Sequence, residues 1–119
     1  MAFIVVVDDD EDVRELMKTS LRGGGHEIVA AADASEALVT IRDRRPDLIV
    51  TDFQMPGMTG LELAQLVRAE QATAEVPIIL LTAVAKYKDF NSVDRWLDKP
   101  FSPASLRHHA EALLRRTMS

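Results

Sequence analysis

The chain has 119 residues, 14 lysines and arginines against 19 aspartates and glutamates, a formal net charge of −5 and no cysteine. This length fits one domain with its own hydrophobic core, and a chain without cysteine has no disulfides, thiolate metal sites or cysteine nucleophiles. The acidic balance argues against a nucleic-acid-binding surface, and the sequence shows neither a membrane-spanning apolar run nor a signal-peptide pattern, so we expect a soluble cytoplasmic domain.

The first half of the chain alternates short apolar runs with helical patterns. Residues 3–7 are continuously apolar, which is typical of a strand covered on both faces. A helical stripe follows and ends at the glycines 23–25; it consists of Val13, Leu16, Met17, Ser20 and Leu21. The next predicted elements are a weaker strand over 27–31, a helix with the stripe Ala34, Ala37, Leu38 and Ile41 that ends before Pro46, and a buried strand over 48–50.

The second half continues the same alternation. Thr59 and Glu62 form a capping-box pattern that predicts a third helix, with Leu63, Leu66 and Val67 on its stripe. A fourth strand is predicted over 78–81 and a short fifth strand at 96–97. Ser102 followed by Pro103 predicts the start of a last helix, whose stripe consists of Leu106, Ala110, Leu113 and Leu114.

This order of elements predicts an α/β fold. Strands that alternate with helices favour right-handed crossovers and a parallel sheet with helices on both faces. We therefore expect one domain over 1–119, with five strands in a doubly wound sheet. The segment 84–95 is too short and polar to predict a helix.

Polar side chains stand where four of the buried strands end. Asp8 and Asp9 follow the first strand, Asp52 the third, Thr82 the fourth and Lys99 the fifth. In a parallel sheet these ends share one edge, where open α/β sheets bind ligands. Three converging carboxylates repel one another unless a cation shares their site or one of them is protonated. Carboxylate oxygens suit Mg²⁺, and a hydroxyl with an ammonium suits an incoming phosphoryl group.

A plainer interpretation exists for these residues taken singly. The acidic run over 8–12 can cap the following helix and favour its dipole. Asp52 and Lys99 can be ordinary loop residues, and Thr82 a strand-end hydroxyl. The site interpretation is favoured because suitable groups follow four different strands at the same edge.

The motifs at these positions identify a family. The chain resembles the receiver domain of two-component response regulators over essentially its full length. The resemblance is carried by VVDDDEDVR at 6–14, RPDLI at 45–49, DFQMPGMTG at 52–60, LTA at 81–83 and KPF at 99–101. It implies a flavodoxin-like fold with the strand order 2-1-3-4-5 and a cis bond between Lys99 and Pro100.

The resemblance also implies a role for each site residue. Asp52 is expected to accept a phosphoryl group from a phosphohistidine, with Thr82 and Lys99 contacting the phosphoryl oxygens. Asp9, Asp52 and the backbone carbonyl of Gln54 are expected to bind Mg²⁺, or another divalent cation such as Mn²⁺, directly. Asp8 is expected to act mostly through water. The domain would catalyse only its own phosphorylation and dephosphorylation, and so would not be an enzyme in the usual sense.

The sequence departs from the family pattern in one residue and in the length of one segment. In this family, phosphorylation draws the residue at the Thr82 position toward the phosphate and lets an aromatic side chain on the fifth strand rotate inward. That aromatic is here Trp96, where Tyr or Phe is more common. Trp96 can equally be a packing anchor. The interval between Thr82 and Lys99 is several residues shorter than usual, which predicts a fourth helix that is shortened or replaced by a loop. We expect this segment to become ordered on activation.

The implied partners are a histidine kinase or histidine phosphotransfer protein and a downstream protein target. Neither direct nucleic-acid binding nor membrane binding is expected, and the chain is expected to be a monomer or weak dimer. An interaction module with the same fold and no dependence on phosphate is the alternative. A phosphatase fits poorly, because its usual second acid two residues after the nucleophile is replaced by Gln54. The chain is either a complete single-domain regulator or a receiver from a longer protein.

Overall fold

A computed structural model of the protein describes residues 2–83 and 92–118. The strands are β1 (Phe3–Val7), β2 (Glu27–Ala31), β3 (Leu48–Asp52), β4 (Ile78–Thr82) and β5 (Arg95–Asp98). The helices are α1 (Glu11–Arg22), α2 (Ala34–Asp43), α3 (Gly60–Ala69) and α4 (Pro103–Met118), with a 3-10 turn at Gln71–Thr73. Each predicted element is present, and β3, β4 and β5 are longer than expected because they continue into polar residues.

The five strands form one parallel sheet in the order β2-β1-β3-β4-β5. This confirms the expected fold and strand order. Side chains alternate between the faces, so Val5 of β1 packs with α2 and α3 while Val6 packs with α1 and α4. β1, β3 and β4 are buried throughout and begin with continuous apolar runs, whereas the edge strand β2 is only partly buried and has a weaker pattern.

The helices begin where the capping residues predicted. Thr59 and Glu62 form the complete capping box of α3, and Ser102 Oγ accepts a hydrogen bond from Ser105 N at 3.0 Å. Two members of the predicted stripes lie at the solvent margin, because Leu16 is 40% exposed and Leu66 is 36% exposed. The buried residues of α1 are Met17, Ser20 and Leu21, all three of which belong to the predicted stripe.

The short connection between β4 and β5 lies mostly outside the described residues. The predicted shortened helix or loop and its ordering on activation fall on residues 84–91, and the described part of the connection contains no helix. β5 is anchored at its beginning, because Asp94 exchanges hydrogen bonds with Ile78 and its carboxylate accepts one from Arg68 at 2.7 Å. Within the described residues, no helix is long and apolar enough to cross a membrane.

Candidate functional site

The carboxyl ends of the strands bring the predicted polar residues to one edge. Asp8 follows β1, Asp52 and Thr82 are the last residues of β3 and β4, and Lys99 follows β5. Lys99 N donates a hydrogen bond to Thr82 O at 2.9 Å, which continues the parallel pairing past the end of β5. The loop after β5 is therefore held against the end of β4, and it directs Lys99 toward the centre of the edge.

The Lys99 ammonium lies between two buried carboxylates. Its Nζ atom is 2.9 Å from Asp52 Oδ1 and 3.3 Å from Asp8 Oδ2. Asp8 is only 1% exposed and Asp52 only 5% exposed. Buried carboxylates need a charge partner, and this lysine supplies one to both.

Asp9 completes an acidic pocket, defined here as Asp8, Asp9 and Asp52. Each of the three residues offers one carboxylate oxygen, and these oxygens lie within 4.8 Å of one another. Asp9 is exposed while the other two are buried, so the pocket opens to solvent on one side. Hard oxygen ligands at a partly open site fit a divalent cation of the Mg²⁺ type, which keeps some of its waters.

Burial governs the protonation of this pocket. Burial raises the pKa of Asp52 above its usual value; the hydrogen bond from Lys99 opposes this rise, and the Asp8 carboxylate adds to it. For Lys99, burial acts to lower the pKa, but hydrogen bonding and attraction from Asp52 and Asp8 together outweigh it, so the pKa is raised. The ammonium consequently stays charged at neutral pH.

The acidic run before α1 contributes both to the helix cap and to the acidic pocket. Asp10 is the N-cap, and its side chain accepts hydrogen bonds from Asp12 N and Val13 N. Asp8 Oδ1 accepts from Asp10 N at 2.9 Å, so the cap and the acidic pocket share one loop. The capping interpretation holds for Asp10, whereas Asp8 and Asp9 belong to the pocket.

One residue near the pocket had no predicted role. Arg14 Nη1 donates a hydrogen bond to the backbone oxygen of Asp8 at 2.7 Å. The available signal in the sequence was spacing, because Arg14 lies one helical turn after the N-cap and a long side chain there can reach back to the loop.

The loop after β3 packs closely against Asp52. Gly60 N donates to Phe53 O at 2.9 Å, and a Cβ atom at Gly60 would overlap the carbonyl oxygen of Asp52. Gly57 has a φ of 79°, a conformation that favours glycine. Gln54 is exposed in this loop, two residues beyond Asp52.

The two predicted switch residues lie on neighbouring strands. Thr82 is buried at the end of β4, and Trp96 is half-buried on β5 opposite Leu80. The next turn contains a cis bond between Lys99 and Pro100, as the family resemblance implied.

An apolar groove adjoins the pocket on the α1 side. It has a volume of about 340 Å³ and is lined by Val13, Leu16, Lys99, Pro100 and Phe101. Leu16, left exposed by the packing of α1, forms part of its wall. Lys99 lines the groove and also contacts Asp8 and Asp52 of the acidic pocket, so a molecule seated in the groove would lie beside Asp52.

The chain is similar in sequence to a known protein family. The family model described as the response regulator receiver domain matches residues 4–111. The phosphate regulon transcriptional regulatory protein PhoB of Pseudomonas aeruginosa is 38% identical over 121 residues, covering 96% of this chain and 52% of that protein. The chain spans about half the length of the curated relatives it matches.

Solved structures agree with this result. The chemotaxis protein CheY4 of Vibrio cholerae matches with a TM-score of 0.87 and 32% identity, over 95% of this chain and 98% of that one. The response regulator TrrA of Thermotoga maritima, solved in complex with Mg²⁺ and BeF, matches with a TM-score of 0.85 and 36% identity, over 95% of this chain and 99% of that one.

Proposed function

The chain belongs to the response regulator receiver domain family, and on this premise we propose that residues 1–119 form a phosphoacceptor domain with Asp52 as the acceptor. The observation that carries the proposal is the convergence of Asp8, Asp9 and Asp52 with the Lys99 ammonium at one edge of the sheet. Receiver domains are signalling domains, so the output is a change in protein contacts rather than a released product.

The transfer step assigns one role to each polar group. A carboxylate oxygen of Asp52 attacks the phosphorus atom of a phosphohistidine, the phosphorus–nitrogen bond breaks, and the imidazole leaves with the electron pair. Lys99, already 2.9 Å from Asp52, pairs with a phosphoryl oxygen once the acyl phosphate has formed. The Thr82 hydroxyl donates a hydrogen bond to another phosphoryl oxygen. No general base is needed because the ionised carboxylate is itself the nucleophile. Hydrolysis of the acyl phosphate in the same site resets the domain.

The residues of the acidic pocket fit a divalent cation. Asp9, Asp52 and the carbonyl of Gln54 would hold Mg²⁺ or Mn²⁺ directly, and Asp8 would act through water because both of its carboxylate oxygens already accept hydrogen bonds. When bound, the cation neutralises the negative charge of the phosphoryl oxygens.

The conformational change that follows phosphorylation involves the ends of β4 and β5. We assign it to Thr82 and Trp96, so that contact between the Thr82 hydroxyl and the phosphoryl group shifts the end of β4 and changes the packing of the indole. The position of Trp96 beside Leu80 on the neighbouring strand supports this coupling.

The phosphodonor is a histidine kinase or a histidine phosphotransfer protein, and a cytoplasmic location is part of the proposal. The apolar groove suits such a protein, because a donor helix seated against Leu16 and Phe101 would carry its phosphohistidine to the neighbouring pocket. The downstream target is a protein that binds the phosphorylated form.

The proposal is tested by intact-mass measurement after incubation with Mg²⁺ and a small-molecule phosphodonor such as acetyl phosphate. We expect a phosphoryl adduct on the parent chain, loss of the adduct when EDTA is added first, and no adduct on Asp52→Asn. An Asp43→Asn variant, altered at an exposed aspartate of α2, should be modified like the parent. If the parent neither forms an adduct nor binds Mg²⁺, the phosphate-independent interaction module is the better description.

A further inference from the structure

Every polar group of Asp8 is engaged. Its backbone N donates to Ala31 O at 3.2 Å, and its Oδ1 accepts from Asp10 N at 2.9 Å. Its Oδ2 accepts from Lys99 at 3.3 Å, and its backbone O accepts from Arg14 at 2.7 Å. Asp8 is thus fixed by four different parts of the molecule, and Arg14 is the one that fixes the carbonyl.

Asp9 depends on this carbonyl for its position. The carbonyl of Asp8 and the amide of Asp9 belong to one rigid peptide plane, so a bond that fixes the Asp8 oxygen also fixes the direction in which the chain enters Asp9. Asp9 is exposed, and within the described residues its carboxylate makes no hydrogen bond or ion pair of its own. The placement of its side chain beside Asp52 therefore depends on where the backbone puts its Cα–Cβ bond.

We propose that Arg14 is a positioning residue that sets the affinity of the acidic pocket for a divalent cation by holding the Asp8–Asp9 peptide. This inference rests on the proposed function, because it assigns Arg14 to the same site. Groups that orient metal ligands typically change metal affinity by about 10-fold or more when they are removed. Arg14 is half-buried and lies one turn into α1, so it links the helix to the loop through the backbone oxygen of Asp8.

The direction in which cation affinity changes when Arg14 is replaced distinguishes a positioning role from a purely electrostatic one. A positive guanidinium near a cation site repels the cation, so deletion of its charge alone would tighten binding. Deletion of a bond that holds the ligands would instead weaken binding. Arg14→Gln removes the charge and cannot reach the Asp8 carbonyl, while glutamine retains a similar helix propensity.

The experiment measures the Mg²⁺ dissociation constant by isothermal titration calorimetry for the parent, Arg14→Gln, Arg14→Lys and Lys18→Gln. Lys18→Gln is the matched control, because it removes a positive charge from the next turn of α1, where Lys18 contacts Glu15 and no pocket residue. We expect Arg14→Gln to bind about 10-fold more weakly than the parent and Lys18→Gln to bind within twofold of it. Arg14→Lys, which keeps the charge but has a shorter reach, should fall between the parent and Arg14→Gln.

Urea unfolding in EDTA reports the structural cost of each variant separately. If Arg14→Gln binds as tightly as the parent or more tightly, the positioning role is wrong while the proposed function stands. If Arg14→Gln does not fold, Arg14→Lys decides, and parent-like affinity in that variant overturns the inference. If the parent itself binds no Mg²⁺, the proposed function fails and this inference fails with it.

Discussion

Lys99 Nζ lies 2.9 Å from Asp52 Oδ1, although the two residues are 47 positions apart in the sequence. The parallel sheet creates this pair, because it brings the ends of β3 and β5 to one edge. Despite the contact, burial raises the pKa of Asp52, so the pair does not fully compensate the carboxylate for its loss of solvent. The pocket is therefore arranged to gain stability from an additional positive charge.

Replacement of Asp52 by asparagine is expected to raise the free energy of unfolding at pH 7 by about 1 kcal/mol in EDTA. Because the pKa of Asp52 is raised in the folded chain, the folded state binds this proton more tightly than the unfolded chain does. The ionised carboxylate consequently costs stability above its folded pKa; the cost shrinks as the pH falls below that value and is absent below the unfolded pKa. Urea unfolding at several pH values should show the advantage of Asp52→Asn shrinking toward acid pH. An exposed-site control, Asp43→Asn, should change stability by less than about 0.5 kcal/mol.

Removal of the ammonium should have the opposite effect. Lys99→Met is expected to lower the free energy of unfolding at pH 7 by about 2 kcal/mol, less than for a fully buried pair because a quarter of the lysine side chain is exposed. The raised pKa of Lys99 means that its contribution is complete below the unfolded pKa of lysine and is lost as the pH rises through the folded value.

A double-mutant cycle isolates the Lys99–Asp52 interaction. In the Asp52→Asn background, Lys99→Met should lower the free energy of unfolding clearly less than it does in the parent. The reason is that only one of the two carboxylates that contact Lys99 is then still charged. An equal cost in both backgrounds would show that Lys99 stabilises the fold through its aliphatic stem or through Asp8 alone.

Gly60 is expected to tolerate no side chain. Gly60→Ala should lower the free energy of unfolding by about 2 kcal/mol and slow phosphorylation, because a Cβ atom there meets the carbonyl of Asp52 and the Leu80 side chain. Gly23→Ala is the matched control: it has open space around it and a φ of −63°, so it should be neutral or slightly stabilising. Parent-like phosphorylation of a stable Gly60→Ala variant would show that the end of β3 can shift without loss of function.

The role of the apolar groove in binding the phosphodonor is tested by comparing a small-molecule donor with a protein donor. Leu16→Asp should leave phosphorylation by acetyl phosphate unchanged but slow transfer from a phosphohistidine protein about 10-fold, since a charge in an apolar contact must be desolvated. The protein donor in this assay is chosen by experiment: it is the histidine kinase that transfers phosphate to the parent chain fastest. Val39→Asp supplies the control, because Val39 is 71% exposed on α2, on the opposite face of the sheet. Equal transfer to both variants would place the donor elsewhere.

The sequence predicts more of the sheet than of the pocket. Residues 3–7 could be assigned as a strand because a continuous apolar run rich in β-branched residues is typical of a buried strand, and Thr59 with Glu62 marked the start of α3 accurately. The exposure of Leu16 could not be predicted, because a stripe does not reveal which of its margins the neighbouring helix covers. The strand order came from the family resemblance rather than from the pattern.

Within the site, the identities of the polar residues were predictable and their energetics were not. Asp8, Asp9, Asp52 and Lys99 follow apolar runs, which marks them in the sequence. The raised pKa of Asp52 depends on the depth of burial, and the bond from Arg14 to Asp8 depends on how α1 leaves its loop. Both are properties of the packed structure.

Asp52 as the phosphoryl acceptor is tested most directly by peptide mapping of the acyl phosphate after reaction with acetyl phosphate and Mg²⁺. Trypsin separates the candidate acceptors, because Asp8 and Asp9 lie in the peptide 1–14 and Asp52 lies in a peptide ending at residue 68. We predict that the phosphoryl group is found on Asp52 alone and is absent when EDTA precedes the donor. A phosphoryl group on Asp8 or Asp9, or modification that persists in Asp52→Asn, would contradict the assignment of Asp52 as the acceptor.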